Sequence, residues 1–194
     1  MKGCRPLEEK EVQAVLAAFD GPFAARDRAL FLLGIKSGFR ISELLSLRLL
    51  DVMRAGRLLE RITVARRNMK KKVEGRTVLL HPDAKTALEI WIEGLRQSGY
   101  MTSDTLVFQS RKGANAAMSR VQAYRILQAA YDRAGVSGST GTHSMRKTFA
   151  NNIHERLGRD LLKTQKALGH KNINSTVSYL SFKEEEIDEA ILGL

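Results

Sequence analysis

Three prolines, one cysteine and an aromatic share of 6 % are what this chain of 194 residues has least of. The single cysteine, Cys4, excludes a disulfide scaffold and any structural zinc site built on cysteine pairs. No uninterrupted apolar run approaches the roughly 20 residues that cross a bilayer. Met1 to Pro6 carries charge with no apolar stretch behind it, so no signal peptide is read there and the expectation is a cytoplasmic protein. Also missing are a GxxxxGK[ST] phosphate loop, an HExxH zinc motif, a GxGxxG turn and a carboxylate cluster suited to two-metal catalysis. If such a chain works on a phosphodiester, cationic side chains must do what a metal would otherwise do.

Cations are what it has in surplus. Thirty-two Lys and Arg face 21 Asp and Glu, a net charge of +11, which favours a polyanionic partner and nucleic acid first. Arg61 to Arg76 holds seven basic residues against Glu74 alone, whereas Lys183 to Leu194 holds five acidic residues and one basic. The length suits one domain with a real core.

Periodicity predicts helices over Leu7–Phe19, Ala24–Lys36 and from near Ile41, then over a segment starting at Pro82, Ser119–Ala134, Thr142–Leu157 and Leu161–Leu168, with a short piece at Thr176–Tyr179. Leu59–Ala65 and Arg76–Leu80 read as strands of a hairpin around the polar loop Arg66–Gly75, and Thr105–Gln109 reads as a third short strand. The class is α+β, mainly helical, with a small three-stranded antiparallel sheet.

Three segments carry candidate chemistry. Ser37-Gly38-Phe39-Arg40 sets an arginine between a helix stop and the next helix start, with Glu43 one turn on to hold the guanidinium. Thr142, read as an N-cap, opens a helix in which His143 and Arg146 share a face, with Met145, Phe149 and Ile153 on the adjoining core side. His170 follows the helix-ending Gly169, and Tyr179 lies nine positions later.

Taken in order, Gly38-Phe39-Arg40-Ile41-Ser42-Glu43-Leu44, a lysine-bearing hairpin, Gly141-Thr142-His143-Ser144-Met145-Arg146-Lys147-Thr148-Phe149-Ala150, Leu168-Gly169-His170-Lys171 and Tyr179 resemble the tyrosine recombinases, the phage-type integrases. The resemblance runs from about Arg5 to Leu180 and corresponds to that family's catalytic domain. It implies that Tyr179 attacks a DNA phosphate to give a 3′-phosphotyrosine and a free 5′-hydroxyl, without ATP, metal or any other cofactor. By the same resemblance Arg40 and Arg146 clamp the nonbridging oxygens. His143 orients the phosphate or handles the tyrosine proton, and His170 contacts a phosphate oxygen. The hairpin lysine, general acid for the leaving oxygen, falls at Lys71, with Lys70 and Lys72 one position to either side. Arg66, Arg67, Lys70 and Lys72 would grip DNA backbone.

Lys147 stands where many members have a second histidine, which keeps a positive donor there. Members normally carry a further DNA-binding domain of about a hundred residues, whereas here the catalytic pattern begins at Arg5. The whole of 1–194 is therefore expected to be one catalytic domain, with 181–194 an acidic tail that docks on a neighbouring subunit or folds back. The partners implied are double-stranded DNA, with association with the nucleoid, and further copies of the chain in a tetrameric synapse. Two other readings share parts of this pattern: DNA relaxation of the type IB topoisomerase kind, and a catalytically silent DNA-binding module.

Overall fold

The computed structural model describes residues 3–64, 76–99, 101–111, 115–180, 188–189 and 191–194. Two compact units divide it, Met1–Phe149 and Ala150–Leu194.

The first unit is organised around helix α2 (Ala24–Ser37), whose Ala29, Leu30, Phe31, Leu33 and Ile35 are all buried. Helix α1 (Glu9–Ala18) precedes it, capped at Glu8, and buries Val12 and Val15. Gly38 ends α2 in the left-handed conformation at φ 61°, where a residue without Cβ costs least. Short helices α3 (Ile41–Leu44) and α4 (Leu49–Val52) follow, then a two-residue-per-strand hairpin, β1 (Met53–Arg54) with β2 (Arg57–Leu58). Neither α4 nor this hairpin was expected from the sequence.

Strands β3 (Arg61–Val64) and β4 (Arg76–Leu79) pair antiparallel, Val64 opposite Arg76 and Thr63 opposite Thr77. Ile62 and Val64 are buried while Arg61 and Thr63 face solvent, the period of two that marks a half-buried strand. Helix α5 (Pro82–Gln97) has Pro at its start and buries Ala84, Leu88, Ile92 and Leu95 at helical spacing; it packs on α2. Helix α6 (Arg120–Arg133) is capped by the Ser119 hydroxyl, which accepts from Gln122 N at 3.1 Å, and packs on α1.

Two expectations need correction. The described residues form two two-stranded sheets rather than one of three strands. Thr105–Gln109 makes only isolated bridges, Leu106 with Arg48 and Gln109 with Ala117. Its backbone groups are spent elsewhere: Val107 N donates to Leu47 O at 2.9 Å, and Val107 O accepts from Trp91 Nε1 at 2.6 Å. Thr142, read as an N-cap, is instead the first residue of helix α7 (Thr142–Arg156). The start is secured one residue earlier, where Gly141 N donates to Ser144 Oγ at 3.1 Å.

Two close approaches set α7 against α2. A Cβ on Gly34 would lie 3.3 Å from Met145 Cβ, and one on Gly38 2.8 Å from Phe149 Cγ. Both pairs are four residues apart, so a small stripe on α2 receives a bulky stripe on α7. Thr148 Oγ1 accepts from Leu7 N at 2.8 Å and donates to Ser144 O at 2.9 Å, tying the N-terminal segment to the same helix.

In the second unit, helix α8 (Leu161–Leu168) is capped by Asp160, which accepts from Lys163 N at 2.9 Å, and is closed by Gly169 at φ 64°. Helix α9 (Ile173–Val177) follows, capped by Asn172 and packed on α8. No described helix is long and apolar enough to cross a membrane.

Candidate active site

In the first unit the site grows from the turn after α2. Arg40 precedes α3, its backbone N–H donating to Glu43 Oε2 at 2.6 Å and its Nη1 to Glu43 Oε1 at 3.2 Å. One carboxylate thus secures both the helix start and the guanidinium of the residue before it. Glu43 is buried, while the Arg40 side chain keeps 30 % of its surface exposed and available to a ligand.

Arg146 comes to the same turn from α7. It is 1 % exposed, and its Nη1 donates to the carbonyl of Gly38. A third guanidinium joins them. Arg76, first residue of β4, donates to Ser37 O at 2.6 Å and to Gly38 O at 3.1 Å, and stacks 5.2 Å from the Phe39 ring and 5.8 Å from the Phe149 ring. Burial, then the nearby charge of Arg146, lowers its pKa to about 9, with Glu43 opposing and Arg40 adding to the fall. It is still protonated at neutral pH.

His143 lies at the first turn of α7. Partial desolvation and then the charges of Arg146, Arg40 and Lys147 hold its imidazole below the usual histidine range, so at neutral pH it is an uncharged group that can accept or relay a proton. Arg146, Arg40 and Lys147 are therefore within electrostatic reach of His143, and Glu43 is bound to Arg40. Arg76 is the member sequence reading missed. It figured there only as the start of a strand within a basic run, and its one signal was an arginine opening a strand four residues after the last of the lysines.

In the second unit, His170 and Tyr179 come together. Their ring centroids are 5.2 Å apart. His170 is 8 % exposed, its Nδ1 3.0 Å from Thr176 Oγ1, and its backbone carbonyl accepts from Gln165 Nε2 at 3.0 Å. Tyr179 is half-buried and its carbonyl accepts from Asn151 Nδ2 at 3.2 Å. Lys71 and the proposed backbone contacts Arg66, Arg67, Lys70 and Lys72 lie outside the described residues. Among the described residues, no three His, Cys, Asp or Glu side chains cluster as metal ligands would.

Residues 5–186 match the phage integrase family. The chain belongs to the phage integrase family. That family is one of tyrosine recombinases, and the chain is an enzyme of this class. It is 37 % identical over 181 residues to the type 1 fimbriae regulatory protein FimE of Escherichia coli (strain K12), covering 90 % of this chain and 84 % of FimE. To the tyrosine recombinase XerC of Xanthomonas campestris pv. campestris (strain B100) it is 36 % identical over 171 residues, 88 % of this chain and 49 % of XerC. The fold is similar to that of the XerH site-specific recombinase in its post-cleavage complex with a palindromic difH substrate, with a TM-score of 0.75, 24 % identity and coverage of 96 % of this chain and 51 % of that one. The chain thus spans about half the length of XerC and of XerH.

Proposed function

We propose that this phage integrase family member is a site-specific DNA recombinase working through a 3′-phosphotyrosine intermediate. Tyr179 Oη attacks the phosphorus, the bond from phosphorus to the 5′-oxygen breaks, and that oxygen leaves as a hydroxyl after taking a proton. One phosphoester bond replaces another, so resealing by the reverse step needs no ATP. Arg40 and Arg146 hold the nonbridging oxygens, where negative charge builds up, and bidentate geometry makes lysine a poor replacement at either position. His143 takes the tyrosine proton or orients the phosphate, His170 donates to a phosphate oxygen, and Lys71 protonates the leaving oxygen. Lys147 adds a cation behind His143, and Arg66, Arg67, Lys70 and Lys72 hold the neighbouring backbone.

The observation that carries the reading is the convergence of Arg40, Arg76 and Arg146 on one turn, with Glu43 as the one carboxylate raising the Arg76 pKa among them. Arg76 is assigned a positioning role, since its guanidinium is committed to the carbonyls of Ser37 and Gly38. The partner is double-stranded DNA. Self-association on DNA belongs to the same proposal, supported by the exposure of Ile191, Leu192 and Leu194 at the acidic C-terminus.

Nicked duplexes tiled across the DNA flanking the coding region trap a covalent adduct, because the strand beyond the nick diffuses away. The expected result is an adduct on a denaturing gel that is absent in Tyr179→Phe and retained in Tyr124→Phe. An adduct that persists in Tyr179→Phe overturns the nucleophile, and a bound duplex that never yields one favours the silent DNA-binding module. For Lys71→Ala, a 5′-phosphorothiolate leaving group restores cleavage; restoration only of Lys70→Ala or Lys72→Ala moves the general acid by one residue.

A further inference from the structure

The second unit holds two buried histidine–threonine contacts that look alike but whose hydroxyls differ in what else they bond. His154 Nδ1 is 2.9 Å from Thr164 Oγ1, and His170 Nδ1 is 3.0 Å from Thr176 Oγ1. Both threonines are 0 % exposed. A hydroxyl carries a single proton, so whatever else it donates to decides which partner supplies the hydrogen to the imidazole.

Thr164 gives its proton away. Its Oγ1 donates to Asp160 O at 2.7 Å, one turn back on the capped start of α8. Towards His154 it can then only accept, so His154 carries its hydrogen on Nδ1. Thr176 has no such outlet. Among the described residues, its own helical turn included, the His170 ring nitrogen is the sole partner of its hydroxyl. Placing a hydrogen on His170 Nδ1 would leave the Thr176 proton buried with no acceptor, which interiors avoid. The satisfied arrangement has Thr176 donating to a bare Nδ1, with the imidazole hydrogen on Nε2.

We propose that Thr176 is a positioning residue that fixes His170 as its Nε2–H tautomer, making the ring a hydrogen-bond donor towards phosphate rather than a base towards Tyr179. The inference rests on the reading of His170 as a phosphate contact. A neutral imidazole has one donor and one acceptor, and a nonbridging phosphate oxygen accepts only. The Nδ1–H tautomer would turn a lone pair towards that oxygen and repel it. Thr176 lies three residues before Tyr179, so α9 and the turn after it carry both the nucleophile and the group that sets the proton of its neighbouring ring.

The test is a long-range proton–nitrogen correlation spectrum of the full chain, labelled at histidine, at about pH 8, where an ordinary histidine is neutral. His154→Gln and His170→Ala assign the two rings. The expected result is opposite tautomers, Nδ1–H for His154 and Nε2–H for His170. Finding Nδ1–H at His170 overturns the proposal without any variant being needed. In Thr176→Val, which keeps the shape, His170 should lose its bias and cleavage of the nicked duplexes should fall at least about tenfold, as for other groups that orient a ligand from behind. Thr176→Ser should restore both, while Thr164→Val should alter only His154. If His170→Ala is impaired and Thr176→Val cleaves normally, the proposal fails and the phosphate-contact reading stands. If His170→Ala cleaves as the unaltered chain does, that reading fails whatever the tautomer.

Discussion

The Gly38 carbonyl accepts a hydrogen bond from Arg146, 108 residues further along the chain. The contact depends on how closely α7 can approach the end of α2, and Gly38 is where that approach is tightest.

Gly38→Ala should therefore be costly twice over. The backbone at φ 61° disfavours any side chain, and the new Cβ would meet the Phe149 ring. A loss of about 1–3 kcal/mol in denaturant unfolding is expected, together with loss of cleavage as Arg146 is displaced. A variant that unfolds at the unaltered midpoint would show that α7 can retreat freely.

Arg76→Leu keeps apolar bulk between Phe39 and Phe149 but removes both donors to the Ser37 and Gly38 carbonyls. Turnover should fall by up to about a hundredfold, the scale of a small misplacement at a reacting centre. The DNA concentration giving half-maximal rate should change far less. Arg76→Lys should recover only part, because an ammonium cannot reproduce the fork.

His143 titrates below its unfolded value of 6.5. Between the folded and unfolded values the unfolded chain binds the extra proton, so this group's contribution is full above 6.5 and is lost as pH falls through the folded pKa. Unfolding midpoints followed from about pH 8 to about pH 5 should drop less steeply in His143→Asn than in the unaltered chain. Equal slopes would place the imidazole outside the field of Arg40 and Arg146.

Asp27→Ala tests a second group of buried charges in the first unit, the Arg26–Asp27 pair. Arg26 is 0 % exposed, bound to Asp27 Oδ1 at 2.8 Å and to Gln109 O at 2.9 Å, and stacked 4.6 Å from Phe23. Removing the carboxylate strands a buried guanidinium, for which about 3–5 kcal/mol of destabilisation is expected. Replacing the pair together, as Arg26→Met with Asp27→Leu, should cost much less.

What the sequence displayed best was where glycine ends a helix. Gly38 and Gly169 stand at helix ends because left-handed turns are local requirements, legible from a few neighbouring residues, whereas the caps at Ser119 and Asp160 were not read. The alternation of β3 was legible for the same reason. Residues whose role comes from distant backbone were not. Arg76 gains its place from carbonyls 38 and 39 residues away, and nothing within its own run of cations distinguishes it. Thr105–Gln109 has strand-like composition, yet Val107 and Phe108 are both fully buried in succession, and Val107 spends its backbone on Leu47 and Trp91. Thr176 carried no signal, since a threonine's usefulness to His170 depends on having nowhere else to send its proton.

Three guanidiniums gathered at one turn repel one another, and any oxyanion that settles among them relieves that repulsion only while the chain is folded. Ligand and folding are then linked: the melting temperature should climb with the logarithm of anion concentration once the site begins to fill. Phosphate or sulfate should raise it more than chloride at matched ionic strength. The melting curve thereby becomes a gauge of site occupancy that requires neither a cleavable duplex nor knowledge of its base sequence.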